Sequence, residues 1–283
     1  MAPRSNPTAR QARLGTELRR MRERAGLSSR EAAQRLGVSP MQMSHMEVGR
    51  IGVGADRVRA LAAQYRCDDE ALVEALVAMT GRRPRGWWED YRDIPFPVLL
   101  DLAELEHYAL GLRVFQMVHV PGLLQTEGYI RALHSNAPNG LCKELVDVQV
   151  DFRLRRQTIL DRVRPPEACF VVHEAALRIK VGDAATMREQ LTRLLEGSHR
   201  PSVDLRLIPF GRDRFAGAGY SMFYANAAVP RLDTAQFDTV TGSVFVDEED
   251  QLAEYRNVYT LMERAALSVD KSRDLVNRLL REL

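Results

Sequence analysis

The feature that most constrains this chain is a run of helix start and stop signals set so close together that only short helices fit between them. Ser28 is a candidate N-cap with Glu31 three residues on, the reciprocal pair of a capping box. Gly37 offers the left-handed turn that ends a helix. Ser39-Pro40 then opens another, with serine as N-cap and proline at the first helical position, where its missing N–H costs nothing. Met43 and Met46 face inward at a spacing of three, and Gly49 ends the segment. Upstream, Leu14, Leu18, Met21 and Ala25 recur at helical spacing, and Gly26 closes that stretch. Downstream, Val58, Leu61 and Ala62 stripe a fourth helix, and Asp68–Met79 makes a fifth. Two short helices joined by a glycine turn, the second opened by a cap and a proline, form the helix-turn-helix pattern.

Charge points the same way. Residues 1–66 carry 13 arginines and no lysine against five acids, a net +8, and the remaining 217 residues are net −6. A basic head on a mildly acidic body suits a phosphate-binding module joined to a protein-binding or sensing module. Three cysteines (Cys67, Cys142, Cys169) show no CxxC spacing, and an odd count argues against a disulfide framework. Met1–Arg10 is polar and does not read as a signal peptide, and no apolar run approaches the roughly 18 residues of a spanning helix. A cytoplasmic location and no membrane contact are expected.

Gly81–Gly86 breaks the helical pattern and reads as a boundary. Both tryptophans, Trp87 and Trp88, follow it directly; they either anchor a core or present a partner surface. Beyond lie helices over Leu99–Leu110, Leu123–Leu133 and Leu141–Leu160, the last with Asp151, Arg153, Arg155 and Arg156 on its polar face. An extended segment is expected at Val114–Val120. Strands are expected at Ala168–His173, Val203–Pro209, Tyr220–Ala225 and Gln236–Val240, with a further piece at Val244–Val246. Helices over Ala184–Glu196, Leu252–Ala266 and Lys271–Leu283 complete the chain. The expected fold is mainly α: a five-helix helix-turn-helix domain over residues 1–80, a Trp-rich linker over 81–97, and a larger α+β domain over 98–283. The strands are too few and too irregularly spaced for a doubly wound sheet.

The run Leu27–Ser39 followed by Ser44-His45-Met46-Glu47-Val48-Gly49-Arg50 resembles the Xre or phage-repressor family of regulators, departing from its pattern at Ala32, where leucine is usual. The resemblance implies a recognition helix over Ser39–Val48, with Pro40, Met41, Gln42, Ser44 and His45 outward. Met41 would meet a thymine methyl, and Gln42 and His45 would offer donors and acceptors to base edges. Ser29, Arg30 and Arg50 would hold phosphates. Arg22 and Glu47 occupy positions that pair in related repressors, which implies a salt bridge. A dimer of such heads implies double-stranded DNA with an inverted repeat as the target.

The second half resembles the C-terminal domain of unknown function carried by helix-turn-helix regulators of filamentous soil bacteria. The matching residues are Gly86-Trp87-Trp88, Val120–Tyr129, Arg153–Gln157, His173–Arg178, Gln190-Leu191 and Leu207–Phe210. The resemblance implies an antitoxin-like pairing with a small acidic protein encoded nearby, for which Trp87, Trp88, Arg153, Arg155 and Arg156 are the candidate contacts. The alternative is a small-molecule receptor that gates DNA binding.

Catalytic readings fall away. His173-Glu174-Ala175-Ala176-Leu177 starts like a zincin helix, but Leu177 stands where the second ligand belongs. No Gly-x-Ser-x-Gly elbow or Walker loop is present, and Gly211…Gly217-Ala218-Gly219 lacks a following helix pattern. Asp247–Asp250 lacks calcium-loop spacing and suits the first turn of a helix. No metal, no cofactor and no enzyme activity are expected.

Overall fold

A computed structural model describes residues 7–80, 86–93, 96–135, 142–213, 221–239 and 242–283. The expected linker residues 81–85, the glycines at 217 and 219, and the strand ends at Tyr220 and Val240 lie outside them. The elements in chain order are α1 (Ala9–Arg24), α2 (Ser29–Leu36), α3 (Pro40–Glu47), α4 (Ala55–Gln64), α5 (Glu70–Ala78), α6 (Pro97–Tyr108), β1 (Gly111–Gln116), α7 (Glu127–Ser135) and α8 (Lys143–Gln157). They continue with β2 (Glu167–His173), α9 (Glu174–Arg178), α10 (Ala184–Ser198), β3 (Val203–Ile208), β4 (Met222–Asn226), β5 (Thr234–Thr239), β6 (Gly242–Val246), α11 (Glu249–Ala265) and α12 (Val269–Glu282).

The chain divides into two compact units. The first comprises Met1–Arg92, Phe96–Leu105 and Ala228–Leu232; the second comprises Asp93–Pro95, Glu106–Ala227 and Asp233–Leu283. The first unit is helical, and its core draws on Leu14, Leu18, Met21, Met43, Met46, Val58, Leu61, Leu72 and Leu76, all buried. These are the apolar positions whose 3.6-residue period marks one face of each helix.

The second unit is α+β, built on a six-stranded mixed sheet in the order β3-β2-β1-β4-β5-β6. β1, β2 and β3 run parallel, and β4, β5 and β6 add antiparallel neighbours on the other side of β1. Helical crossovers join the parallel strands, as parallel pairing requires. α11 covers one face, packing Tyr259, Met262 and Ala265 on Phe115, Val171, Ile208 and Met222. Glu249 and Asp250 sit in its first turn, the role expected of the acidic run.

Local differences from the sequence reading have physical causes. β1 starts at Gly111 and stops at Gln116, because its register is set by Glu167 on one side and Asn226 on the other. The helix expected over Leu123–Leu133 is a 3-10 turn at Gly122–Leu124 and then α7, whose start is capped by Thr126, with Tyr129 N–H donating to its hydroxyl at 3.2 Å. The helix expected to Leu160 ends at Gln157 and tightens into a 3-10 turn over Thr158–Asp161.

The Pro121–Thr126 stretch is clasped by three buried glutamines. Gln125 Nε2 donates to Val120 O at 2.8 Å, and Gln157 Nε2 to Gln125 O at 2.8 Å and Gly122 O at 3.1 Å. Gln190 Nε2 donates to Leu124 O, and its Oε1 accepts Thr126 N–H, both at 2.8 Å. A buried loop must satisfy its backbone this way, so this stretch serves structure.

Candidate nucleic-acid interface

The geometry of α2 and α3 follows from local chemistry. Ser28 N–H donates to Glu31 Oε2 at 2.8 Å and Glu31 N–H to Ser28 Oγ at 3.2 Å, a complete capping box. Those hydrogen bonds hold the Glu31 carboxyl below its ordinary range. Gly37 closes α2 at φ +70°, where a side chain would be strained. A second box opens α3: Ser39 N–H donates to Gln42 Oε1, and Gln42 N–H to Ser39 Oγ, both at 3.1 Å, with Pro40 in the first turn.

α1 holds α3 from below. A Cβ on Gly15 would lie 2.6 Å from the carbonyl oxygens of Met46 and Glu47, so only glycine permits this crossing. Two turns on, Arg22 Nε donates to Glu47 Oε1 at 2.6 Å and Nη2 to Oε2 at 3.1 Å, with both side chains buried. Arg22 Nη1 also donates to Leu27 O at 2.6 Å, which fixes the entry to α2. Such a bidentate pair sets orientation as well as distance.

The face left outward carries most of the residues expected there. Ser39, Pro40, Met41, Gln42 and Ser44 are exposed, Met41 at 70 %, and His45 is half-buried. Arg30 and Arg50 are exposed, and Ser29 is half-buried. Gln42 is committed differently from the sequence expectation: its carbonyl oxygen closes the capping box, and its amide Nε2 is the donor that the box does not use. Sequence reasoning passed over Gly15 and Val48, the latter 44 % exposed at the end of the same helix. The glycine inside an otherwise regular helical stripe was the available signal.

The residues expected to meet a partner protein differ in exposure within each unit. Trp88 is buried, stacked edge-on to Trp87 with centroids 6.0 Å apart, and Trp87 is half-buried against Tyr91. Their stacking, with no room for a Cβ at Gly86 beside the Trp88 ring, makes Trp88 a core residue. On α8 Arg153 and Arg156, three positions apart, share the inward side, and Arg155 lies on another sector of the helix. Arg156 donates to the buried Glu106 at 2.6 Å, Arg153 reaches inward to Gln125 Oε1 at 3.2 Å, and Arg155 is exposed. Burial lowers the Arg153 guanidinium to about 10. His173 is the N-cap of the five-residue α9, its Nδ1 accepting Ala175 N–H at 3.1 Å. Among the described residues no group of three or more His, Cys, Asp or Glu side chains could hold a metal ion, and no described helix is long and apolar enough to cross a membrane.

The first unit is thus a helix-turn-helix domain, and a family model of that description matches residues 13–76. The chain belongs to the family defined by the domain of unknown function DUF5753, whose model matches residues 99–278. No curated protein and no solved structure matches the chain.

Proposed function

We propose that this protein is a sequence-specific transcriptional regulator of the Xre type that binds an inverted-repeat operator as a dimer. The observation that carries the reading is the exposed N-terminal turn of α3, capped at Ser39, locked on α1 through Arg22–Glu47, and flanked by exposed Arg30 and Arg50. A short, rigidly seated helix in a basic domain is the arrangement that enters a major groove. The second unit is read as non-catalytic and as the seat of a small acidic partner protein. That part rests on the family resemblance, with Arg155 the exposed member of the expected α8 cluster.

The test is selection from a randomised duplex library at two salt concentrations. The expected result is an inverted repeat whose half-sites lie about 34 Å apart, one helical turn. Gln42→Glu keeps the capping oxygen and removes the amide donor, so it should relax preference at one position per half-site. Arg50→Ala should weaken all sequences alike and make the salt slope shallower by about one unit per head. No enrichment over random duplex at low salt would overturn the reading. Copurification with a small acidic neighbour tests the partner role separately.

A further inference from the structure

The first unit also holds a buried charge cluster that the outward face of α3 does not use. Glu17 on α1 has no solvent exposure, and three guanidiniums converge on it. Arg13 Nη1 lies 3.1 Å and Arg20 Nη1 2.6 Å from its Oε1, and Arg231 Nε lies 2.9 Å from its Oε2. Arg13 and Arg20 are neighbours of Glu17 on the same helix. Arg231 is remote in sequence, in the five-residue strap Ala228–Leu232 between β4 and β5, which belongs to the first unit. α1 grips the strap's backbone as well, since Arg13 Nη2 donates to the Arg231 carbonyl.

The strap is pre-shaped at both ends. Leu232 N–H donates to Val229 O at 2.9 Å, and Leu232 is buried. Asp233, the next residue, accepts Ala227 N–H and the Tyr224 hydroxyl, both at 2.8 Å, so it ties together the two chain ends that lead into and out of the strap. α1 therefore has two working sides. Gly15 and Arg22 meet α3, while Arg13 and Glu17 meet the strap, with Arg20 three positions on beside Glu17.

We propose that Glu17 and Arg231 are positioning residues for DNA binding: the strap sets the seat of α1, and α1 in turn sets the recognition helix. Segment Ala228–Leu232, drawn from within the stretch matched by the DUF5753 model, thereby tunes α3 without touching DNA. This rests on the DNA-binding reading above.

The experiment uses the full chain and the duplex recovered by library selection. Arg231→Gln is expected to weaken binding at least tenfold, to leave the salt slope unchanged, and to speed amide exchange in α1 and α3 but not in β2. Arg231→Lys, which keeps the charge, should return affinity to within about threefold of wild type, and Glu17→Gln should match or exceed the Arg231→Gln defect. Unchanged affinity overturns the proposal. So does a weaker complex with a shallower salt slope, which would put Arg231 on a phosphate. Faster exchange in β2 as well would reduce the effect to general loss of fold and overturns it too. If wild type selects no duplex, the DNA-binding reading fails, and the exchange measurement still decides whether the strap seats α1.

Discussion

The second helix of the helix-turn-helix, α3, and the long helix α8 are each tied by a buried arginine–glutamate pair, and the two ties differ. In Arg22–Glu47 both carboxylate oxygens accept, at 2.6 and 3.1 Å, and a third guanidinium nitrogen bonds Leu27 O. In Arg156–Glu106 one oxygen accepts at 2.6 Å, while Glu106 Oε1 is buried with no hydrogen-bond partner among the described residues. Burial pushes the Glu106 carboxyl up, against the pull of the Arg156 charge. The same residue pair is therefore a two-armed lock in one place and a one-armed tie in the other. The difference lies in how many polar atoms the surroundings satisfy, since desolvation can exceed the Coulomb gain when partners are missing.

The largest expected effect breaks the lock. Glu47→Gln should cost about 3 kcal/mol of local stability, because it leaves the buried Arg22 charge uncompensated. Amide exchange of α3 measures it, and an α3 protected as in wild type would make the two ties equivalent.

A second effect probes the same lock by pH. The Tyr65 hydroxyl lies 3.9 Å from Met43 Sδ, and its acidity is shifted to about 12, first by burial and then by the Glu47 charge. A group whose folded value is raised stabilises the fold below its unfolded value, near 10, and loses that contribution as pH climbs through 12. The loss across that window should be about 2–3 kcal/mol, and Tyr65→Phe should flatten this part of a pH-dependent unfolding curve.

The one-armed tie should respond weakly. Glu106→Gln at pH 7 is expected to cost less than Glu47→Gln, because it also removes a carboxylate whose desolvation its surroundings only half offset. Glu106 costs stability as pH rises above the ordinary carboxylate range, so the variant should also gain relative to wild type between acid and neutral pH. Exchange of α8 amides is the readout, and a loss equal to that of Glu47→Gln would erase the contrast.

Smallest is the cap. Ser39→Ala should lower α3 stability by about 1 kcal/mol, measured by helix exchange, and should not move α8.

The helical head was largely legible because its signals are local. Ser28 with Glu31, Gly37, and Ser39 with Pro40 act within one turn, and each is found in the role that its neighbours dictate. The outward positions of α3 follow from helical period, given Met43 and Met46 as the buried side. Even there, the engagement of Gln42 Oε1 needed coordinates, since a capping box is written Ser-x-x-Glu or Ser-x-x-Gln and the glutamine serves equally as a reader. In the second unit the sheet was legible only as a set of strands. β1 is central, and its ends depend on partners far along the chain. The α8 arginines read as one basic patch, yet Arg153 and Arg156 are drawn inward by Gln125 and Glu106, residues on other elements.

By itself, the sequence determined the five-helix head, the capped helix α3 and the α+β character of the rest. Each of these depends on propensity, capping or period within a few residues. Only the tertiary structure decided the sheet order, the partners of the buried arginines and the membership of Ala228–Leu232 in the first unit. Those outcomes join residues as far apart as 50 positions for Arg156 and Glu106, or 218 for Arg13 and Arg231. At such separations no local rule pairs a charge with its partner; burial and the need to satisfy every buried polar atom choose among many candidates at once.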